Sequence, residues 1–391
     1  MDTHEPERLL GGYGGRLLLS ASLGWTAIQG GRLLASPLLP AIQGDLGISA
    51  TQAGLALSLL WGLYALLQYP SGRLSDRLSR KTLLVSGLCL VAVGFVLLAT
   101  ARSYGWFLLG AAVVGLGAGL YPTAARALVS DLFVERRGQA FGIHTSSGDL
   151  GGVAAAGLAA VVLAVATWRL AYLPVVVVVL AVAVTIHLWS REAYDFSRTD
   201  LAVVATARRL LGQRDLRLLL VAYSLYAFTW QAAAGFLPTF LQLGKGFSPG
   251  VANASFAALF VVGAAVKPVA GGLGDRVSRA VLVPAVLALA SVGLAALVLA
   301  DAPLPAALGV VAFAAGLMSF PPVMQAYLMD TFPDDSAGGD LGATRSVYIG
   351  VGALGPAYVG AVADLASYQL AFWGLVACLV AAAVLVVYLS R

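Results

Sequence analysis

Twelve apolar stretches of about twenty residues recur along this 391-residue chain: about 17–40, 51–70, 82–100, 105–128, 139–163, 169–189, 216–241, 250–270, 280–300, 304–328, 340–362 and 367–389. No other feature constrains the fold as strongly. A helix that crosses the hydrocarbon of a bilayer needs roughly 20 such residues, and only a helix or closed barrel satisfies its own backbone polar groups there. Asp, Glu, Lys and Arg make up only 11% of the chain, against about 25% in soluble domains. That excludes a set of wetted globular domains, and the apolar content excludes disorder. The expected class is all-α and integral to the membrane, with twelve transmembrane helices. The leading MDTHEPER is polar and has no A-x-A pattern, so no cleaved leader is expected. Cys89 and Cys378 lie in apolar runs, which leaves neither a disulfide framework nor a metal cluster.

The basic residues set the orientation. On alternate sides of the twelve stretches, nineteen Lys and Arg fall on one side and three on the other, with Arg32 and Lys267 inside spans. By the positive-inside rule the rich side is cytoplasmic, and it holds both termini and the middle loop. Arg8, Arg16, Arg126, Arg136 and Arg137 all count on that side. The net charge of +5 is thus a topology device, and nucleic acid is not an expected partner. An inner or plasma membrane location follows, with lipid around the chain and a monomer as the expected state.

One long polar segment, 190–215, splits the spans six and six. Its stretch Leu201–Leu211 reads equally as an amphipathic helix on the inner leaflet or as a solvated linker. Residues 1–189 and 216–391 are then two six-helix units. They match at a constant offset of 199 residues: GRLSDRLSR from Gly72 aligns with GGLGDRVSR from Gly271, Pro122 with Pro321, Asp131 with Asp330 and Phe133 with Phe332. Parallel halves of this kind frame a cavity near the midplane and expose it by rocking.

The loop GRLSDRLSRK (72–81) resembles the G-x-x-x-D-R-x-G-R-K signature of the major facilitator superfamily, with Ser79 where the pattern has Gly. The weaker copy, around Asp275, lies between spans 8 and 9, and GLGAGLYPTAARALVSDLFVERRGQAFG (115–142) resembles the family's passage from helix 4 to helix 5. The resemblance covers all twelve spans and implies two pseudo-symmetric six-helix bundles. It further implies that Gly72, Asp76, Arg77, Arg80, Asp131 and Asp275 belong to a cytoplasmic gate, with Asp76 and Arg80 clustered on Asp131 and Asp76 facing helix 11.

Charges at membrane depth are costly and functional by default. Arg32 lies eight residues before Pro40, roughly 12 Å into span 1. Its spacing to Pro40 resembles the organic-anion and spinster-like branches of the superfamily, where this arginine faces the cavity. A guanidinium stays charged and forks onto carboxylate or phosphate. The alternative is an ion pair with Asp149. Lys267-Pro268 falls where monocarboxylate and oxalate carriers have Arg-Pro, so Lys267 is either a second clamp or a snorkelling lysine about a turn from the helix end. Arg345, one to two turns into span 11, is equally open. Asp149 lies roughly 15 Å into span 5, among the small residues of TSSGDLGG. With His144 five residues earlier it forms a candidate proton path; the alternative is that it neutralises Arg32.

Tyr64, Tyr121, Tyr226, Trp230, Gln231, Gln325 and Tyr348 are candidate cavity contacts, and Gln231 is the repeat partner of Arg32. The GP-before-GG pattern of drug antiporters is absent from span 5.

The expected function is secondary transport of a small organic anion by alternating access, coupled to protons, with no cofactor beyond the coupling ion. Arg32 binds the anion with Lys267 or Arg345 as second clamp, and Tyr64, Tyr121, Tyr348, Gln231 and Trp230 line the site. Efflux of lipophilic or cationic compounds through Asp149 is the second reading, and a non-transporting receptor the third. No P-loop, HExxH or GxSxG motif points to an enzyme.

Overall fold

The computed structural model describes residues 8–75, 78–195, 212, 214–329 and 337–389. Among the described residues, twelve long helices run alternately up and down. They are α1 (Gly12–Leu46), α2 (Ala50–Leu66, continuing over Gln68–Ser75), α3 (Arg80–Ala99), α4 (Tyr104–Leu132), α5 (Arg137–Val165) and α6 (Tyr172–Trp189). The second set is α7 (Arg214–Thr239), α8 (Pro249–Gly274), α9 (Arg279–Leu299), α10 (Pro303–Met329), α11 (Ala337–Gly352 and Leu354–Leu365) and α12 (Tyr368–Leu389). Eleven of these spans are long and apolar enough to cross a membrane. The exception is α1. It is 35 residues long, but Gln29, Arg32, Gln43 and its serines and glycines dilute its apolar run.

Helix pairing repeats between the halves. In the first, α1 packs on α5 and α6, α3 on α4 and α6, and α2 on α4; in the second, α7 packs on α11 and α12, α9 on α10 and α12, and α8 on α10. Every pairing has its counterpart six helices later. The halves meet through α1–α7, α2–α11 and α5–α8, and the last two contacts exchange under the same repeat.

Two of the interface helices are broken, for one reason. Pro70 has no N–H for the carbonyl of Leu66, and α2 breaks at Leu67; Pro356 has none for Gly352, and α11 breaks at Ala353. Where α1 and α5 cross, small residues bring the backbones together: a Cβ on Gly30 would lie 3.1 Å from the Gly151 carbonyl oxygen. This contact sets the depth of Asp149. Ser79, the departure from the loop signature, caps α3, its hydroxyl accepting the Thr82 N–H at 3.2 Å.

The amphipathic reading of 201–211 and the gate residues Asp76 and Arg77 lie outside the described residues.

Candidate functional site

Between the halves lies a cavity of about 350 Å³, lined by residues of α1, α2, α5, α7, α8, α10 and α11. It collects most of the expected contacts: Arg32, Tyr64, Asp149, Tyr226, Trp230, Gln231, Lys267, Gln325, Arg345 and Tyr348.

Arg32 is buried on α1. Its guanidinium carbon lies 4.4 Å from the ring centre of Trp61, 4.2 Å from that of Tyr64 and 6.0 Å from that of Trp25. One Nη donates to Gln29 Oε1, while Nε and the other Nη have no hydrogen-bond partner. The aromatic faces stabilise the charge, and Tyr64 is also within hydrogen-bonding reach of the guanidinium. An arginine held this way has hydrogen bonds left to give.

Arg345 enters from the other half, on α11, within hydrogen-bonding reach of Tyr64 and electrostatic reach of Tyr223 and Tyr348. Its Nε is also buried without a partner. Tyr64 therefore stands between two guanidiniums, one from each half.

Lys267 does something else. Its Nζ lies 2.6 Å and 2.7 Å from the two carboxylate oxygens of Asp149, an ion pair that joins α8 to α5 across the interface. Asp149 does not pair with Arg32, and Lys267 does not snorkel. It sits seven residues before the end of α8, about two turns in, and its side chain turns into the cavity.

Aromatic rings form the remaining wall. Tyr223 and Tyr348 stack with ring centres 3.7 Å apart, Tyr226 stacks on Phe320 at 4.1 Å, and Trp230 meets Phe260 edge-on at 6.0 Å. Gln325 Nε2 lies 3.4 Å from the Tyr223 hydroxyl, and Gln231 Nε2 donates to the Ile349 carbonyl at 3.0 Å.

Two expected residues lie elsewhere. Tyr121 is fully buried within the first half, its hydroxyl donating to the Ala21 carbonyl at 2.9 Å, so it is a packing residue between α4 and α1. His144 sits behind Trp25, ring centres 6.3 Å apart, and is not on the cavity wall; the five-residue spacing from Asp149 turns it to another face of α5.

Trp25, Gln29, Trp61, Thr145 and Tyr223 line the cavity although no motif singled them out. Trp25 and Gln29 precede Arg32 by seven and three residues, a helical spacing that puts them on its face. Arg126 was counted among cytoplasmic loop charges. It lies inside α4, close enough to Arg345 for mutual repulsion.

At the loop signature, Arg80 Nε pairs with Asp131 at 3.1 Å and Arg80 Nη1 donates to Ser75 at 3.2 Å. Gly72 lies where a Cβ would be 3.7 Å from Thr123 on α4. In the second half Asp275 and Arg279 are 3.9 Å apart.

A family model described as Major Facilitator Superfamily matches residues 17–265 and 219–391. A probable sulfoacetate transporter, SauU of Cupriavidus necator, is 27% identical over 266 residues, 63% of this chain and 62% of that one. Protein spinster of Drosophila melanogaster is 27% identical over 233 residues, 57% of this chain and 38% of that one. Both matches span less than two thirds of the relatives' own length. The crystal structure of a bacterial homologue of the human lysosomal transporter Spinster, inward-facing and occupied, superposes with a TM-score of 0.83 at 18% identity over 97% of each chain. A D-xylose-proton symporter gives 0.75 at 16% identity, over 96% of this chain and 97% of that one.

Proposed function

The chain belongs to the major facilitator superfamily of membrane transporters, and from that premise we propose that it moves a small organic anion, carboxylate- or phosphate-bearing, by proton-coupled alternating access. One observation carries this reading. Arg32 and Arg345 face one cavity from opposite halves with unpartnered donors, and the single carboxylate on its described wall is bound to Lys267. Three cations and one carboxylate leave a formal charge of +2 for a ligand to neutralise. Guanidiniums match carboxylate and phosphate oxygens in shape as well as sign. The volume is at the small end of ligand cavities. The name of the Cupriavidus relative, which cites a small sulfonated carboxylate, agrees with this class.

Rocking of the halves about the α1–α7, α2–α11 and α5–α8 contacts would expose the cavity to each side in turn, with both termini in the cytoplasm. Asp149 is the coupling residue in this scheme, and the Arg80–Asp131 pair belongs to the cytoplasmic gate. Efflux of cationic drugs fits less well, because it needs a free carboxylate and Asp149 has an ammonium on both oxygens.

Uptake into proteoliposomes under a pH gradient tests the reading, with acetate, succinate, sulfoacetate and inorganic phosphate as the panel. Uptake or exchange of a panel anion that Arg32→Gln abolishes is expected. Unchanged transport in Arg32→Gln overturns the assignment.

A further inference from the structure

We propose that the end of the α1–α6 groove nearest the chain termini is a headgroup site for one anionic phospholipid, its phosphate held between Arg16 and Arg191. This is the cytoplasmic end in the orientation proposed above. The site is separate from the central cavity and does not depend on what the carrier moves.

Two cation–aromatic pairs interlock there. Arg16, near the start of α1, has its guanidinium carbon 6.0 Å from the ring centre of Trp189, the last residue of α6. Arg191, just beyond α6, has its guanidinium carbon 4.5 Å from the ring centre of Tyr13 on α1, and its backbone N–H donates to the Tyr13 hydroxyl at 3.2 Å. Tyr13 and Arg16 are three residues apart and so neighbours on one helix face. Each arginine thus lies against an aromatic ring of the other segment, and both are exposed. Among the described residues neither guanidinium has a carboxylate partner. The acid beside Arg191, Glu192, is engaged at the start of α3, where it accepts the Lys81 N–H at 2.9 Å.

An apolar face continues the site toward the bilayer. Leu19 and Leu23 follow Arg16 by three and seven residues on the same side of α1, and α6 adds Val184 and Leu188; all four are exposed. In a membrane they meet acyl chains, which places Tyr13 and Trp189 at headgroup level, where such rings collect. A phosphate oxygen accepts from guanidinium N–H groups in a charge-assisted pair, and the inner leaflet supplies anionic headgroups.

The internal repeat provides the comparison. The 199-residue offset sets Asp215 opposite Arg16 and Tyr388 opposite Trp189. In that half Arg214 Nη2 donates to the Tyr388 hydroxyl at 2.9 Å, and Asp215 follows it in the chain. The α7–α12 end therefore carries an engaged cation beside a carboxylate that repels phosphate. The α1–α6 end carries two cations and no acid bound to either. A pair of helices built alike differs in the charge that a headgroup would meet.

Native mass spectrometry of the purified full-length protein in neutral detergent tests the site, with phosphatidylglycerol, phosphatidylcholine and glycerol 3-phosphate as probes. Wild-type protein should hold one phosphatidylglycerol more tightly than phosphatidylcholine. An arginine beside an anionic headgroup is worth about fivefold in affinity. Arg16→Gln and Arg191→Gln should each weaken phosphatidylglycerol binding by that factor, and together by more than tenfold, while phosphatidylcholine binding stays the same. Arg16→Lys keeps the charge and should lose less than Arg16→Gln. Arg214→Gln, at the matched end of the second half, should leave binding unchanged. Undiminished phosphatidylglycerol binding in the double variant overturns the proposal. So does an equal loss in Arg214→Gln, or equal wild-type affinity for phosphatidylcholine. Glycerol 3-phosphate bound as tightly as the lipid, and lost in Arg16→Gln, would assign the site to a free phosphate and overturn the lipid.

Discussion

The carboxylate of Asp364 on α11 accepts the backbone N–H of Thr51 on α2 at 2.7 Å, with the Ala50 N–H on its other oxygen at 3.1 Å. A side chain of one half thereby helps to cap a helix of the other, at the end of the bundle away from the chain termini. Ser49 and Gln52 already form a capping box there, so Asp364 adds a contact between halves to a helix that is stable without it. Ser58 Oγ accepts the Ala357 N–H at 2.9 Å one layer deeper. Removing a cap of this kind costs about 1 kcal/mol. Asp364→Ala should therefore raise the population open at this end by roughly fivefold and leave folding intact. Double electron–electron resonance between spin labels at Arg102→Cys and Ala302→Cys reads the change as a longer distance. An unaltered distribution would show that the cap does not bias the equilibrium.

Backbone closeness enforces the same closure. A Cβ on Gly360 would lie 2.8 Å from the Ala50 carbonyl carbon and 3.1 Å from Thr51 Cα. No flexible side chain is available to yield. Gly360→Val should hold α2 and α11 apart at this end and stop transport, while detergent-purified protein stays monodisperse. The same spin-label pair should show only the longer distance, and normal uptake by this variant would refute the point.

Arg32→Gln separates stability from binding. The lost cation–π contacts are worth about 0.5–2 kcal/mol. The unpartnered Nε and Nη of the native side chain cost about 1–3 kcal/mol. These effects oppose each other, so the melting temperature without ligand should move by only a few degrees. The rise in melting temperature on adding a panel anion should vanish. A retained rise would mean that the anion is held elsewhere.

An ion pair outside the membrane spans gives a pH signature. Arg169 Nη2 donates to Asp45 at 2.6 Å, Trp168 Nε1 donates to the same carboxylate at 3.2 Å, and Arg169 Nε donates to the Ala101 carbonyl at 2.6 Å. The hydrogen bond from Arg169 holds the Asp45 carboxyl below its ordinary value, with Trp168 adding to it. A carboxyl with a depressed folded-state value contributes stability above the unfolded value near 3.9 and loses it as pH falls through the folded value. Asp45 is 42% exposed, so the contribution is below about 1 kcal/mol. Asp45→Asn should lower the melting temperature by a small, constant amount from pH 8 to pH 5. The difference from wild type should shrink below about pH 4. A difference that persists at lower pH would place its origin outside the charge.

Much of the architecture could be read from the chain because it depends on local composition. Apolar runs of membrane length, proline and glycine positions and the 199-residue offset are properties of segments, and the twelve helices follow them. The exception, α1, is informative: Gln29, Arg32 and its serines weaken the apolar signal because this helix borders the cavity. Arg32 stood out for the same reason, a charge with no wetted surface to serve. Arg126 was misplaced because counting charges by side of the membrane cannot separate the last turns of a helix from the loop beyond it. Tyr121 and Tyr348 looked alike in sequence; one is a hydrogen-bonded strut between α4 and α1, the other a wall of the cavity.

Taken alone, the sequence determined the number of helices, the duplication and the scarcity of charge that makes each buried ion significant. Only the tertiary structure decided which ions meet. Asp149 and Lys267 are 118 residues apart and in different halves, while Arg32 and Arg345 converge on Tyr64. Helical periodicity fixes the face of a helix on which a side chain lies. The partner it meets is set by how helices far apart in sequence cross, and that depends on packing across the interface.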